Sequence, residues 1–210
     1  MNITILPVGQ MAANCYLVQD EPSGEILIID PGEDANYIAE HILKLGGKPT
    51  AILATHGHFD HILGARELQL TFGIPFYIHA SDTFLVARMQ ETAAHFLSRD
   101  IIEAPPVIDG ILADKQKITI GSQSLTVVET PGHTPGSICF YSQKEQVLFV
   151  GDSIFAGGAV GRTDFSYSEP LKLAASIDYI LSLPGGFRLL PGHGEETSVA
   201  KEKQFHSPLG

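Results

Sequence analysis

Three turns and one strand end constrain this chain more than any other feature. Thr55-His56-Gly57-His58-Phe59-Asp60-His61 follows the apolar run TAILA, and Pro131-Gly132-His133-Thr134-Pro135-Gly136 follows SLTVVET. Asp152 ends QVLFVGD, and Pro191-Gly192-His193-Gly194 follows FRLLP. Every one of these imidazoles and carboxylates sits just beyond an apolar, strand-like run. Ligand sites in open α/β sheets lie outside the strand ends, and loops held by a rigid sheet aim side chains without bending it. A fold that brings four strand ends to one edge would turn these scattered residues into one site.

The spacing favours metal. In an extended segment His56 and His58 project to the same side, so both imidazoles can reach one ion. Asp60 and His61 come where the chain enters a helix, and the changed backbone direction can aim them at a second ion. The glycines and prolines around His133 and His193 permit tight turns and close backbone approach. Imidazole and carboxylate donors suit zinc, iron or manganese, and no thiolate is among them. A single HxH often occurs without a metal. HxHxDH after an apolar strand, joined to two further glycine-flanked histidines and a strand-terminal aspartate, reads as a metal site. The remaining histidines lack such spacing: His41 and His206 read as solvated surface residues, His79 and His95 as structural ones.

The rest of the chain supplies a scaffold. Three β-rich runs, ITILPV, NCYLVQ and EILIID, open it. ANYIAEHILKLGG has helical periodicity, with Ile38, Ile42 and Leu45 on one face and a Gly-Gly stop. TAILAT reads as a strand, HILGARELQLTFG as one helix and PFYIHA as a strand. A helix is expected from Ser81 to about Phe96, with Ser81 as its cap. Residues 99–116 have two adjacent prolines and no clean period, and are expected as a surface loop, a candidate to close over a substrate. Four β-runs follow (KITI, SLTVVET, SICFYS, QVLFVGD), then a helix from Pro170 to Leu183, the strand FRLLPG and a short helix within 197–205. Two strand-rich halves with helices in each and no linker between them predict one layered α/β domain over residues 1–210. The pattern leaves the layer order open.

Charge and cysteine usage narrow the partners. Thirteen basic against twenty-four acidic residues give a net charge of −11, which disfavours nucleic acid or an anionic membrane as the main partner. Two carboxylates of that excess would be neutralised by bound cations. Cys15 and Cys139 lie in apolar runs and read as small buried hydrophobes. The N-terminal stretch has no basic region ahead of a long apolar run, and no stretch approaches a membrane span of roughly 20 apolar residues. The expected location is the cytoplasm. The oligomeric state is left open.

These residues closely resemble the metallo-β-lactamase superfamily. THGHFDH matches its HxHxDH signature, and His133, Asp152 and His193 match its later ligand positions in order. The resemblance runs from the N-terminal strands, including IIDPG at 28–32, to PGHG. It implies a four-layer αββα sandwich. It also implies that His56, His58 and His133 bind a first divalent ion, that Asp60, His61 and His193 bind a second, and that Asp152 bridges them. Asp30 matches an aspartate that supports the ligands from behind.

Within the superfamily the chain resembles the short glyoxalase II type, the hydroxyacylglutathione hydrolases, through GDSIFAGGAVGRTDF. Arg162 falls where longer members place a basic residue near the glutathione moiety, and would bind a substrate carboxylate. Only seventeen residues follow His193, so contacts from an added C-terminal helical domain are not expected and the natural thiol stays open. The implied reaction is hydrolysis of a thioester such as S-D-lactoylglutathione by a metal-bridging hydroxide, with Asp60 also orienting the nucleophile. A thiolate leaving group, of parent pKa about 8.5, needs no dedicated acid. Two other readings share the residues: a mononuclear iron persulfide dioxygenase using His58, His133 and Asp152, and a non-catalytic metal-binding protein.

Overall fold

The computed structural model describes residues 1–206, which form two six-stranded sheets packed face to face. The first half comprises β1 (Asn2–Val8), β2 (Ala13–Asp20), β3 (Glu25–Ile29), α1 (Ala35–Leu45), β4 (Lys48–Leu53), α2 (Phe59–Ile62), α3 (Ala65–Phe72), β5 (Phe76–His79), α4 (Thr83–Ala87), α5 (Met89–Leu97) and β6 (Ile108–Leu112). The second comprises β7 (Lys117–Ile120), β8 (Gln123–Glu129), β9 (Ile138–Ser142), β10 (Val147–Gly151), α6 (Pro170–Ser182), β11 (Arg188–Pro191), β12 (Thr197–Ser198) and α7 (Val199–His206). The sheet orders are β1-β2-β3-β4-β5-β6 and β12-β11-β10-β9-β8-β7.

Period-two alternation sends each strand's side chains into two different cores. From β2 and β3, Tyr16, Val18, Leu27 and Ile29 point between the sheets, where they meet Leu125, Val127, Phe140, Phe149 and Leu190. Their neighbours Leu17, Ile26 and Ile28 point outward and are covered by Ile38 and Ile42 of α1 and Leu68 of α3. On the far side, Leu148, Val150 and Leu189 are covered by Leu173, Ile177 and Ile180 of α6 and Val199 of α7. The layers are therefore αββα, as the resemblance implied. Strands buried on both faces explain why runs such as NCYLV and EILII are apolar throughout.

The topology aligns the ends that matter. β3 and β4 run parallel, as do β10 and β11. β8 is antiparallel to β9, and β9 to β10, so β8 shares the direction of β10. The C-terminal ends of β3, β4, β8, β10 and β11 thus reach one edge of the sandwich. Hydrogen bonds there tie the two sheets together, from Ile138 N to Thr55 O (2.9 Å) and from Asn14 N to Gly192 O (2.7 Å).

Several expected elements differ. The helix expected over HILGARELQLTFG is broken into α2 and α3 at Gly64, whose amide donates to the carbonyls of Pro31 and Gly32. A Cβ at Gly64 would lie 2.5 Å from Gly32 O, so glycine lets this joint seat on the turn after β3. The helix expected from Ser81 to about Phe96 is a 3₁₀ turn (Ala80–Asp82) followed by α4 and α5, with the break at Arg88. Ser81 is not the cap: its amide donates to His79 Nδ1. Residues 99–116 are not all loop, since β6 pairs parallel to β5 within them. Asp109 and Gly110 obscure that strand. The Asp109 carboxylate accepts from Gln69 Nε2 and Phe76 N, and Gly110 leaves room for the Tyr77 ring.

His41 and His206, expected at the open surface, are both half-buried, and His41 Nδ1 meets Tyr37 O at 2.9 Å. Cys15 and Cys139 are free and fully buried, as expected. Among the described residues no helix is long and apolar enough to cross a membrane.

Candidate metal centre

All seven expected ligand side chains meet at that edge. His56 Nε2 lies 3.1 Å from His58 Nδ1, which lies 3.0 Å from His133 Nε2. A second group forms beside it. His61 Nε2 lies 3.3 Å from His193 Nε2 and 3.7 Å from Asp60 Oδ2, with His193 Nε2 to Asp60 Oδ2 at 3.3 Å. Asp152 stands between the groups. Its Oδ2 is 3.7 Å from His133 Nε2 and 3.6 Å from His193 Nε2, and its Oδ1 is 3.5 Å from His61 Nε2. Among the described residues, Asp152 Oδ1 is buried with no hydrogen-bond partner. That approach requires glycine on β11's exit, because a Cβ at Gly192 would sit 2.1 Å from Asp152 Oδ1.

Each ring is held from behind through its other nitrogen. His56 Nδ1–H donates to Thr55 Oγ1 (3.1 Å), whose own hydroxyl donates to Asp30 Oδ2 (2.6 Å). His61 Nδ1–H donates to Asp30 Oδ2 (3.2 Å). His133 Nδ1–H donates to Arg162 O (2.8 Å), and His193 Nδ1–H to Met11 O (3.1 Å). His58 presents Nδ1 to its group, and its Nε2–H donates to Tyr167 Oη (2.8 Å). These bonds orient the rings and turn the other nitrogen of all five towards the two groups, the arrangement by which outer partners orient ligands. Asp30 carries this role from a left-handed backbone conformation (φ 52°), which costs free energy in a non-glycine residue.

The electrostatics fit cations. Burial, reinforced by His133, pushes His58 down to about 3. Burial and neighbouring imidazoles push His56 down as well. Burial opposes protonation of His61 too, but the Asp152, Asp60 and Asp30 carboxylates raise it to about 10. Burial also opposes protonation of His193, which its hydrogen bond to Asp60 and the charge of Asp152 nevertheless raise. Burial would raise Asp60, but His61 and His193 hold it well below the ordinary carboxylate range. In the first group His56 and His58 are thus held neutral. The second carries protons where positive charge is wanted. Five imidazoles and two carboxylates in two adjacent groups could hold two divalent cations.

The centre opens into a cavity of about 820 Å³ that His58, Asp60, His133, Asp152 and His193 line. Arg162 also lines it, but its guanidinium is engaged by Asp164, with Nε to Oδ1 at 2.8 Å and Nη2 to Oδ2 at 2.7 Å. Its carbonyl does more for the centre than its charge, through His133. No residue of 99–116 lines the cavity, so that segment does not cover the site. Arg99 ties it down through an ion pair with Glu33. His95, expected to be structural, does line the cavity, whereas His79 pairs with Glu129.

Two residues escaped sequence reasoning. Tyr167 had no motif to mark it. Asp82 looked like part of a helix start, yet its buried carboxylate accepts from Gly57 N (2.9 Å), Thr134 Oγ1 (2.7 Å) and Gly136 N (2.7 Å). It clamps the His56–His58 loop to the His133 loop, and its side chain makes no cap hydrogen bond to α4. Asp82→Ala would leave three buried donors unsatisfied, each costing on the order of 1 kcal/mol or more. The expected results are a loss of about 3 kcal/mol in denaturant unfolding and roughly 10- to 100-fold weaker metal binding. Equal midpoints for variant and wild type would refute the clamp.

Comparison with known proteins agrees with this geometry. The family model described as the metallo-beta-lactamase superfamily matches residues 8–198. The hydroxyacylglutathione hydrolase GloC of Haemophilus influenzae is 34% identical over 212 residues, which cover 97% of this chain and 96% of that one. Among solved structures, the B3 metallo-beta-lactamase BLEG-1 superposes with a TM-score of 0.88 at 35% identity, over 99% of this chain and 98% of its own. TTHA1623 in a di-iron-bound form gives 0.86 at 31% identity, over 97% and 98%. With the match spanning both sheets and every converging side chain, the chain belongs to the metallo-beta-lactamase superfamily.

Proposed function

We propose that this chain is a dinuclear metal-dependent hydrolase of small-molecule thioesters, with S-D-lactoylglutathione as the reference substrate. The observation that carries the reading is Asp152, one carboxylate within 3.7 Å of nitrogens in both imidazole groups and with Oδ1 lacking any hydrogen-bond partner among the described residues. A shared ligand has that disposition. In this reading His56, His58 and His133 hold one ion, Asp60, His61 and His193 the other, and Asp152 both. Zinc is the first expectation, and iron or manganese suit the same donors; the di-iron form of TTHA1623 is a precedent for the second metal.

Two bound cations supply a water acidified towards neutrality and an electrophile for the substrate carbonyl. The protein's own groups do the rest. The bonds from Thr55, Asp30, Arg162, Met11 and Tyr167 keep the rings from turning as charge develops. Asp60 lines the cavity beside His193 and orients the attacking water. Tyr167 accepts from His58 and keeps its own proton, its phenol pushed up to about 12 by burial, so it acts as a neutral donor towards the substrate. The leaving thiolate, of parent pKa about 8.5, departs without an added acid. The name of the Haemophilus influenzae relative motivates glutathione as the thiol. Two buried unpaired cysteines suit a reducing cytoplasm.

Metal analysis of the purified protein alongside S-D-lactoylglutathione hydrolysis tests the reading. Two ions per chain with turnover are expected. One iron per chain, with oxygen uptake on glutathione persulfide and no hydrolysis, would replace it with the mononuclear dioxygenase. Two ions with neither activity would leave a binding protein.

A further inference from the structure

The walls of the cavity divide by chemistry. On the side of the first imidazole group, Phe165 lies 5.1 Å from the His58 ring and stacks on Tyr167 at 5.3 Å. The cavity's two guanidinium groups belong to this side. Arg162 lies 4.6 Å over Phe165. Arg88 follows one helical turn after Phe84, whose ring meets Tyr167 at 5.4 Å.

The side of the second group is different. Phe155 lies 6.2 Å from the His193 ring, and Phe59 stacks on Phe96 at 5.8 Å beside Asp60. Met11 joins them, its carbonyl bonded to His193. Phe96 and Met11 are 43% and 44% exposed, so apolar surface here faces the cavity and water. No Lys or Arg is among the lining residues on this side.

We infer that the thioester taken by this site carries a bulky apolar acyl group, which lies against Phe59, Phe96, Phe155 and Met11. The inference rests on the hydrolase reading above and narrows it. A carbonyl held between the two groups has two substituents, which leave in opposite directions. One leaves past Arg88 and Arg162, each paired with a carboxylate of its own, Glu91 and Asp164; the other meets ring faces and a thioether. A cavity of about 820 Å³ is near the top of the range for ligand pockets of drug-like size and far exceeds what a three-carbon hydroxyacyl group fills. Each added methylene would leave water for apolar wall.

The test is a series of glutathione thioesters at constant thiol, from acetyl through butanoyl, hexanoyl and octanoyl, with S-D-lactoylglutathione alongside, on the metal-loaded enzyme. The expected result is a rise in kcat/KM of up to about fourfold per methylene, the factor that burying a CH₂ supplies. Phe155→Ala and Phe96→Ala should each lower the octanoyl-to-acetyl ratio, which a general loss of folding would not change. Hydrolysis that is flat or falling with chain length, or fastest for the lactoyl compound, overturns the inference and leaves the hydrolase reading in place. No hydrolysis of any member, with two ions bound, overturns both.

Discussion

Asp152→Ala is expected to lower kcat/KM for thioester hydrolysis by on the order of 10³-fold, the scale of losing one preorganised electrostatic element in an enclosed site. The same variant should retain fewer than two ions per chain after dialysis. Asp152 approaches the converging nitrogens of both imidazole groups, through Oδ2 towards His133 and His193 and Oδ1 towards His61. Removing it separates the two groups chemically while leaving the five histidines on the loops and the helix α2 that carry them. Asp152→Asn is the sharper variant, since it preserves the packing against Gly192 and removes only the charge. If charge sharing is the role of Asp152, the asparagine variant falls nearly as far as the alanine one. Unchanged turnover in either would remove the basis for a dinuclear mechanism.

The residues that sequence reasoning found share one property. Each lies on a strand end or in the turn and first helix that follow it, so the local pattern of apolar run, glycine and ligand points to where the side chain goes once the sheet forms. TAILA followed by THGHFDH and FRLL followed by PGHG are legible for that reason. The layer order was not legible from periodicity, because strands buried on both faces lose the alternation that would reveal which side is inside. The resemblance supplied it.

The misses have a different cause. Asp82 lies 52 residues from Thr134 and 54 from Gly136. Nothing in SDTF distinguishes a clamp between loops from an ordinary helix start. β6 was hidden because a strand that carries Asp109 as a hydrogen-bond acceptor, and Gly110 to admit an aromatic ring, has no β-like composition. Arg162 shows the converse. The motif marked its side chain, while its carbonyl holds His133 and its guanidinium pairs with Asp164. Backbone contributions of this kind leave no trace in side-chain identity.

Removal of the metal ions is expected to lower the thermal midpoint by roughly 15–30 °C. A ligand that binds only the folded state at 1,000 times its dissociation constant contributes about 4 kcal/mol. Two such ions contribute about 8, and each kcal/mol moves the midpoint by roughly 2–4 °C in a chain of this size. The metal-free protein should also show a characteristic pH dependence. His58 is pushed down to about 3 when folded, against 6.5 unfolded. Between those values the unfolded chain binds more protons, so this histidine destabilises the fold as pH falls from 6.5 towards 3. His61 is raised to about 10. Its stabilising contribution is complete below 6.5 and is lost as pH rises through 10, because there the folded chain binds more protons. Together they place the stability optimum of the metal-free protein near pH 6.5. Bound cations replace the His61 proton, so the alkaline decline from this group should vanish on reloading with zinc. Thermal unfolding at pH 5, 6.5 and 9, before and after chelation, reads both effects. A midpoint unmoved by verified metal loss would mean that these imidazoles and carboxylates satisfy one another, and that the centre was not built around cations.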